Sequence, residues 1–359
     1  MEEKFDFNNI TIIPKVYTEI SSRYNDIVLP EMLPLFTAPM DTVVNYSNKD
    51  VFINNGINVV LPRTVLYDHF LAKEILSGKT SDNGVFLSFG LYDIRYYLSR
   101  GLGYSQIHKG AKILIDVANG HMQQIVDICK EIKSLRPDIT IMAGNIANPE
   151  TYTWYAENKC VDYVRVGIGN GGGCLTTKQS GIGYPMASLI QEVFKEKLFY
   201  VFDHKDDADF KFPPAIVADG GMKDYVDIIK ALGLGADYVM VGSIFNKALE
   251  SCGTNHFLGM PITPMLAEHF FDRGYPIKKH FRGMSTKEAQ KAMGKTVLKT
   301  SEGITKLQRV EYRLSGWVEN FEHYLRNTMS YSNAKTLNDF IGRAEICRIT
   351  DKAYDRFNK

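Results

Sequence analysis

Eight short apolar runs rich in Val and Ile recur along the chain, and each is followed by a polar or glycine-containing turn. Continuous apolar runs, in contrast to alternating ones, are typical of strands that helices cover on both faces. We therefore predict eight parallel strands. They lie at residues 35–38, 57–61, 85–89, 113–117, 139–143, 163–166, 215–218 and 238–241.

Segments with helical periodicity separate these runs. Within residues 122–135, for example, Ile125, Cys129 and Ile132 recur at a spacing that places them on one helix face. Eight such βα units over roughly 250 residues match the size of a (βα)8 TIM barrel, an α/β fold. A doubly wound sheet is the alternative, but its first βα turn requires a glycine fingerprint. Residues 38–42 here read Ala-Pro-Met-Asp-Thr, which does not match.

The segment after the last predicted strand is too long to be a plain connection. Residues 246–320 look irregular and contain Gly, Pro and His, so we expect a lid or flap over about 250–315. Residues 317–350 predict one or two helices that pack on the barrel. No linker, repeat beyond the βα unit or low-complexity tract interrupts the pattern, which predicts one catalytic domain over residues 1–359.

Composition narrows the class of protein. A chain of 359 residues that is 45% hydrophobic can bury a large core. Its net charge of +1, with interspersed charges, predicts no binding to nucleic acid or to anionic membranes. The N-terminus lacks the apolar run of a signal peptide, and no apolar stretch is long enough to span a bilayer. Five scattered cysteines without CxxC spacing predict reduced thiols in a cytoplasmic protein.

Residues 164–185 form a glycine-rich loop that contains a single cysteine, Cys174, two residues ahead of Thr176. Such a segment buries little apolar surface, and glycine lets the backbone approach a ligand closely. We therefore interpret Cys174 as a nucleophile in a cradle of backbone groups. The alternative, an inert buried thiol, suits Cys129 and Cys347 better because both lie in apolar helical patterns.

The same loop offers backbone carbonyls at Gly169, Gly171 and Cys174, which could surround a monovalent cation such as K+. His256, His269 and His280 lack metal-ligand spacing, so they predict no metal site.

Polar and glycine-rich turns also follow the last two predicted strands, at the end of a barrel where active sites lie. One turn is Asp219-Gly220-Gly221 and the other is Gly242-Ser243. Barrels commonly bind phosphate at these two positions through backbone N–H groups. A lone Asp-Gly-Gly is more often an ordinary turn, but the two turns together favour a phosphorylated ligand, with Asp219 accepting from ribose hydroxyls.

These motifs resemble the IMP dehydrogenase/GMP reductase family over nearly the whole chain, from Asp6 to Arg343. The resemblance implies a TIM barrel with an active-site cysteine, usually assembled as a homotetramer. The matching segments are Phe7-Asn8-Asn9-Ile10, Pro14-Lys15, Ser22-Arg23, Met40-Asp41-Thr42-Val43, Asp116-Val117-Ala118-Asn119-Gly120, Met142-Ala143-Gly144-Asn145, the loop at 167–185, Asp219-Gly220-Gly221 and Arg282-Gly283-Met284-Ser285.

Within that family the chain is most similar to the reductase branch. Typical dehydrogenases carry a pair of regulatory domains after the second strand, and residues 62–85 leave no room for them. Residues 295–310 lack the Arg-Tyr dyad with which dehydrogenases activate water, whereas Ser301-Glu302-Gly303 resembles a reductase motif. Two alternatives stay open: an IMP dehydrogenase without its insert, which oxidises IMP to XMP with NAD, and a relative that binds purine nucleotides without turnover.

The resemblance to reductases implies NADPH-dependent deamination of GMP to IMP and ammonia through a covalent thioimidate on Cys174. Thr176 and Glu302 would form a relay that protonates the departing amine. The implied nucleotide contacts are Asp219, Gly220, Gly221, Gly242, Ser243, Arg282, Gly283, Met284, Ser301 and Gly303. The implied cofactor contacts are Ser22, Arg23, Arg63, Asp116, Val117, Ala118, Ile168 and Gly169.

The chain departs from the family pattern at several positions in these motifs. Arg63 keeps a positive charge that could meet the 2′-phosphate of NADPH, but the histidine that usually precedes it is replaced. The loop departures leave open a ligand other than GMP. The substituted positions are Pro62 for histidine, Asn170 for proline, Gly172 for a phosphate-binding serine, Thr177 for arginine or glutamine, and Phe281 for tyrosine.

Overall fold

The computed structural model describes residues 2–79, 84–97 and 103–357. Its strands are β1 (Ile10–Ile12), β2 (Leu35–Thr37), β3 (Val60–Leu61), β4 (Phe86–Phe89), β5 (Lys112–Asp116), β6 (Thr140–Ile146), β7 (Tyr163–Val166), β8 (Ala215–Asp219), β9 (Tyr238–Val241), β10 (Asn255–Phe257), β11 (Met260–Ile262), β12 (Lys278–Arg282), β13 (Thr305–Arg309) and β14 (Ile346–Arg348). Its α-helices are α1 (Lys49–Ile53), α2 (His69–Leu76), α3 (Leu91–Tyr96), α4 (Gln123–Leu135), α5 (Pro149–Glu157), α6 (Thr176–Ser180), α7 (Met186–His204), α8 (Tyr225–Leu234), α9 (Ser243–Asn246), α10 (Pro264–Asp272), α11 (Lys287–Ala292), α12 (Leu314–Tyr331), α13 (Leu337–Phe340) and α14 (Asp351–Phe357).

Strands β2 to β9 form one parallel sheet in the order β2-β9-β8-β7-β6-β5-β4-β3. The sheet closes into a barrel beside Asn58, whose N–H donates to the carbonyl of Leu35 at 3.0 Å. The N–H of Thr37 donates in turn to the carbonyl of Asn58 at 2.9 Å. Every apolar run of the sequence overlaps one of these strands, and the predicted TIM barrel is confirmed.

The barrel interior is filled by one face of the strands, while the other face packs against the helices. Phe36 lies at its centre, with ring centroids 5.6 Å from Phe86, 5.9 Å from Tyr163 and 5.1 Å from Tyr238. Burial on both faces explains why each strand reads as a continuous apolar run. The interior cluster comprises Phe36, Ala38, Val60, Phe86, Leu114, Met142, Val217 and Met240.

The helices pack outside the barrel through the faces that their periodicity predicts. In α4, Ile125, Cys129 and Ile132 are all fully buried. The region expected to hold one or two C-terminal helices contains α12 and α13, and Trp317 of α12 stacks on Phe321. Strand β14 follows them and pairs antiparallel with β1, which the sequence did not predict. No helix in the described ranges is long and apolar enough to cross a membrane.

The segment expected to be an irregular flap contains a four-stranded antiparallel sheet in the order β11-β10-β12-β13, together with α10 and α11. Its strands are short and mostly polar, so they carry no apolar pattern that sequence analysis can detect. Lys279 of β12 is fully buried and donates to the carbonyls of Ala248, Leu249 and Ser251 at 2.7–2.8 Å. Burial lowers the pKa of Lys279 to about 7. These bonds fix the flap sheet to the chain that leaves the last barrel strand.

We expect Phe36→Ala to lower the free energy of unfolding by about 3–5 kcal/mol, because it leaves a cavity inside a closed barrel that cannot collapse. Equilibrium urea unfolding followed by circular dichroism measures this change. Phe70→Ala is the control, since the Phe70 side chain is largely exposed, and it should change stability by less than about 0.5 kcal/mol. Equal losses in the two variants would contradict the interior packing described here.

Candidate active site

A cleft of about 620 Å³ opens at the carboxyl ends of the barrel strands, where active sites of this fold lie. Most of the residues assigned from the sequence line it, although they come from many separate strands and loops. Those that line the cleft are Arg63, Asp116, Val117, Ala118, Ile168, Gly169, Gly171, Cys174, Thr176, Asp219, Gly220, Gly221, Gly242, Ser243, Gly283, Met284 and Glu302.

Cys174 is carried by the loop that follows β7. Glycine is required at two points in the loop's path. Gly167 has φ +132° and Gly169 has φ +81°, and a Cβ at Gly167 would lie 2.3 Å from the carbonyl oxygen of Asp219. The N–H of Cys174 then donates to the carbonyl of Gly171 at 2.9 Å, which closes a tight turn. The turn leaves the thiol half-buried on the cleft wall.

Two backbone hydrogen bonds join this loop to the flap. The N–H of Leu175 donates to the carbonyl of Glu302 at 2.8 Å, and the N–H of Ile304 donates to the carbonyl of Gly173 at 3.0 Å. Cys174 and Gly303 are thereby paired as in an antiparallel sheet. A Cβ at Gly283 would lie 2.6 Å from the Gly173 carbonyl oxygen, so glycine permits the close approach. The pairing delivers Glu302 to the cysteine.

The three side chains assigned as catalytic form a line of contacts. The Cys174 thiol donates to Thr176 Oγ1 at 3.2 Å, and the Thr176 hydroxyl lies 3.4 Å from Glu302 Oε2. The second contact is long for a hydrogen bond, and catalytic contacts of this kind commonly tighten in the substrate complex. A hydroxyl both donates and accepts, so Thr176 can pass a proton between the carboxyl group and a group near the sulfur.

Asp219 lies at the end of β8 within a network that the sequence analysis missed. Its Oδ2 accepts from Arg165 Nη2 at 2.7 Å and from Asn145 Nδ2 at 2.7 Å. Arg165 Nη1 donates to Asp116 Oδ1 at 2.6 Å. Burial disfavours the charged guanidinium, but the two carboxylates outweigh it and raise the pKa of Arg165 above its usual value. The sequence did contain a signal for this network. Arg165 is a charged residue within the apolar run of β7, and a buried charge requires partners.

The residues assigned to phosphate line the wall beside the cysteine loop. Gly220 and Gly221 follow β8 with φ of +88° and +89°. A Cβ at Gly220 would lie 2.8 Å from the backbone nitrogen of Gly171, and one at Gly172 would lie 3.4 Å from Ser243 Oγ. The cysteine loop and the ends of β8 and β9 therefore approach each other through glycine backbone, which leaves N–H groups accessible to an anion.

The cleft is also lined by three cationic side chains, Arg63, Lys295 and Lys299. Arg63 Nη2 donates to Asp93 Oδ2 at 2.8 Å. Burial lowers the pKa of Lys295, and the nearby positive charges of Arg63 and Lys299 lower it further. The two lysines belong to the flap, and the sequence analysis assigned them no role because nothing in their local pattern distinguishes them from solvated lysines.

Five of the assigned residues do not line the cleft in the described part of the chain. They are Ser22, Arg23, Arg282, Ser301 and Gly303. Arg23 Nη1 donates to Asn327 Oδ1 of α12 at 2.9 Å. Arg282 Nε donates to Asp41 Oδ1 at 3.2 Å, which ties the flap sheet to the loop after β2. For these residues, direct contact with a ligand remains a prediction.

Ser301 and Gly303 flank the carboxylate of the relay. The Ser301 hydroxyl donates to the Gly303 carbonyl at 2.9 Å, which closes the turn that presents Glu302 to the cleft. Both residues therefore shape the turn, and their proposed contact with the nucleotide stays a prediction.

The carbonyls assigned to a monovalent cation lie in one loop, and that of Gly171 already accepts from Cys174 N–H. A carbonyl oxygen has a second lone pair, so this bond leaves room for a cation ligand. Within residues 2–79, 84–97 and 103–357, no group of three or more His, Cys, Asp or Glu side chains could hold a metal ion. This finding concerns side-chain ligands and does not test the backbone carbonyls, so the K+ site stays a prediction.

Comparison with known proteins gives a consistent result. The model of the IMP dehydrogenase / GMP reductase domain matches residues 107–356. The GMP reductase of Caenorhabditis elegans is 27% identical over 99% of this chain and 95% of its own. GMP reductase 1 of Mus musculus is 30% identical over 71% of this chain and 69% of its own. The GMP reductase of Buchnera aphidicola is 28% identical over 91% of this chain and 86% of its own.

The cysteines should differ in their reactivity toward iodoacetamide. We expect Cys174 to be alkylated in mildly alkaline buffer, because its thiol lies on the cleft wall. Cys252 should stay unmodified, because burial raises the pKa of its thiol to about 12 and alkylation requires the thiolate. Peptide mass spectrometry measures both sites in one sample, and labelling of Cys252 at the rate of Cys174 would contradict this difference.

Proposed function

This chain belongs to the IMP dehydrogenase/GMP reductase family, and we propose that it reductively deaminates GMP to IMP and ammonia with NADPH. Both activities in the family name are oxidoreductions, so the protein is an oxidoreductase. The observation that carries the proposal is the line of contacts from Cys174 through Thr176 to Glu302. The relatives named GMP reductase support the choice between the two activities.

In this mechanism the thiolate of Cys174 adds to C2 of the purine. The exocyclic amine takes up a proton and leaves as ammonia, so that a thioimidate joins C2 to the sulfur. NADPH, when bound, supplies the hydride that reduces this carbon. The carbon–sulfur bond then breaks, IMP is released and the thiolate returns.

An amine is a poor leaving group until it carries a proton, so the site requires an acid near C2. Glu302 would supply that proton through the hydroxyl of Thr176, and the contacts of this hydroxyl with the Cys174 thiol and with Glu302 support the role. A dehydrogenase requires the opposite, because it must activate a water molecule to attack the same carbon. Residues 295–310 offer no Arg-Tyr dyad for that task, which favours deamination.

The nucleotide would lie along the wall between the cysteine loop and the ends of β8 and β9. Oδ2 of Asp219 is occupied by Arg165 and Asn145, so its other oxygen can accept from the ribose hydroxyls. The backbone of Gly221, Gly242 and Ser243 would bind the phosphate. Gly220, Gly283 and Met284 also line the cleft, and Gly283 and Met284 would present backbone to the purine.

The group of cationic side chains in the cleft suits a phosphorylated dinucleotide. Arg63, Lys295 and Lys299 concentrate positive charge there, and a 2′-phosphate would reduce the repulsion among them. The same cleft is lined by Asp116, Val117, Ala118, Ile168 and Gly169, which would contact the nicotinamide cofactor. We also propose that the enzyme is a cytoplasmic homotetramer whose residues 1–359 form one catalytic domain.

Two reaction mixtures test the proposed function. We expect the absorbance of reduced nicotinamide to fall with GMP and NADPH and to stay constant with IMP and NAD. A rise in the second mixture would instead indicate an IMP dehydrogenase without its regulatory insert. No change in either mixture, together with nucleotide binding by calorimetry, would indicate a relative without turnover, and both of these outcomes would refute the proposal.

Replacing the nucleophile should separate catalysis from binding. We expect Cys174→Ala to abolish turnover and to leave GMP affinity within about tenfold, because the sulfur bonds to substrate only during the reaction. Steady-state kinetics and calorimetry measure the two quantities. Cys347→Ala is the control, because Cys347 lies on β14, which pairs with β1 outside the barrel sheet. A Cys174→Ala enzyme of near-normal rate would refute the covalent mechanism.

Glu302→Gln should impair deamination far more than hydride transfer, since the amide cannot protonate the departing amine. Ammonia release from GMP measures the first step. Reduction of NADP with IMP, in the reverse direction, measures hydride transfer without ammonia. Glu311→Gln is a matched control in the flap, because Glu311 pairs with Lys247 instead of the relay. Equal losses in both steps would remove the role assigned to Glu302.

A further inference from the structure

Arg165 is the charged residue of β7, and its side chain is only 7% exposed. Val164 and Val166 on either side are fully buried against the helical shell. Burying a guanidinium in such surroundings costs free energy unless carboxylates balance its charge and its N–H groups find hydrogen-bond acceptors. Stability of the barrel alone does not require it, since an apolar side chain of similar volume would serve at this position.

The guanidinium is shared between two carboxylates at the ends of different strands. Nη1 donates to Asp116 Oδ1 at 2.6 Å, while Nη2 and Nε donate to Asp219 Oδ2 at 2.7 and 3.3 Å. In each carboxylate the other oxygen has no protein partner within residues 2–79, 84–97 and 103–357. Both carboxyl groups line the cleft, so each uses one oxygen for Arg165 and presents the other to a ligand.

A second donor fixes one end of this network. Asn145 Nδ2 donates to Asp219 Oδ2 at 2.7 Å and to the Gly167 carbonyl at 2.8 Å. The network thus crosses the ends of β5, β6, β7 and β8. Without the guanidinium, two carboxylates would repel each other in a partly desolvated site and would turn toward solvent.

We propose that Arg165 is a positioning residue that holds Asp116 and Asp219 for the dinucleotide and the nucleotide at the same time. The inference rests on the proposed function, which assigns Asp219 to the ribose of the nucleotide and Asp116 to the nicotinamide cofactor. The new element is that both binding sites depend on the same cation, the guanidinium of Arg165. The guanidinium carries its donors on three separate nitrogens, so it can reach two carboxylates on different strands, whereas the donors of a lysine ammonium all lie on one nitrogen.

Arg165→Met tests the proposal, because it keeps an unbranched side chain and removes all donors. We expect KM for GMP and KM for NADPH each to rise at least about tenfold, with a much smaller change in kcat. Arg165→Lys should raise both values by at least about threefold. Added guanidinium ions should restore part of both affinities in Arg165→Ala, whereas methylammonium should not.

Arg136→Met is the matched control. Arg136 makes a two-bonded pair with Asp138 at 2.7–2.8 Å, before β6 begins and at the opposite end of the barrel strands. Its loss should lower the thermal stability and leave both KM values unchanged. If Arg165→Met does not fold, Arg165→Lys and the guanidinium rescue decide the question alone.

The inference is wrong if Arg165→Met leaves both KM values unchanged, raises only one of them, or lowers kcat alone. Calorimetric titration with GMP and with NADPH gives the same comparison without turnover. A wild-type protein that binds both ligands but does not reduce GMP would refute the proposed function, while the binding of Arg165→Met would still test the shared cation. A wild-type protein that binds neither ligand would overturn both.

Discussion

The proposed chemistry depends on two backbone hydrogen bonds between the cysteine loop and the flap. They pair Cys174 with Gly303 and bring the Glu302 carboxylate to a thiol that lies far away along the chain. Without this pairing the barrel would still hold a cysteine in its cleft, but Glu302 would not be held near it. The pairing depends on glycine at the contact points, because a Cβ at Gly283 would meet the carbonyl of Gly173.

The molecule separates stability from function. The apolar core lies in the barrel interior and the helical shell, while the cleft is lined by glycine backbone and polar groups together with apolar side chains such as Met40 and Ile168. Arg165 departs from this division, since its charge is buried beside the apolar residues Val164 and Val166 of β7. Its two carboxylate partners line the cleft. The buried charge therefore serves ligand binding in our proposal and not the stability of the core.

The fold could be predicted where a local pattern reports burial on both faces. Each barrel strand, such as β7, is a continuous apolar run, and α4 shows its buried face through the spacing of Ile125, Cys129 and Ile132. The flap sheet could not be predicted in this way. Its strands are short and polar, and they are stabilised by contacts with distant chain, such as the bonds from Lys279 to the carbonyls of Ala248 and Leu249.

The sequence by itself determined the strands, the barrel and the reactive groups, because residue type and spacing along the chain carry that information. It singled out Cys174 and Asp219 as chemical groups without a packing role. Only the tertiary structure decided their partners, namely Arg165 and Asn145 beside Asp219, and the two lysines of the flap. It also paired Arg282 with Asp41. The physical reason is that a side chain's partners depend on the closure of the barrel and on the docking of the flap, which join residues that are remote in sequence.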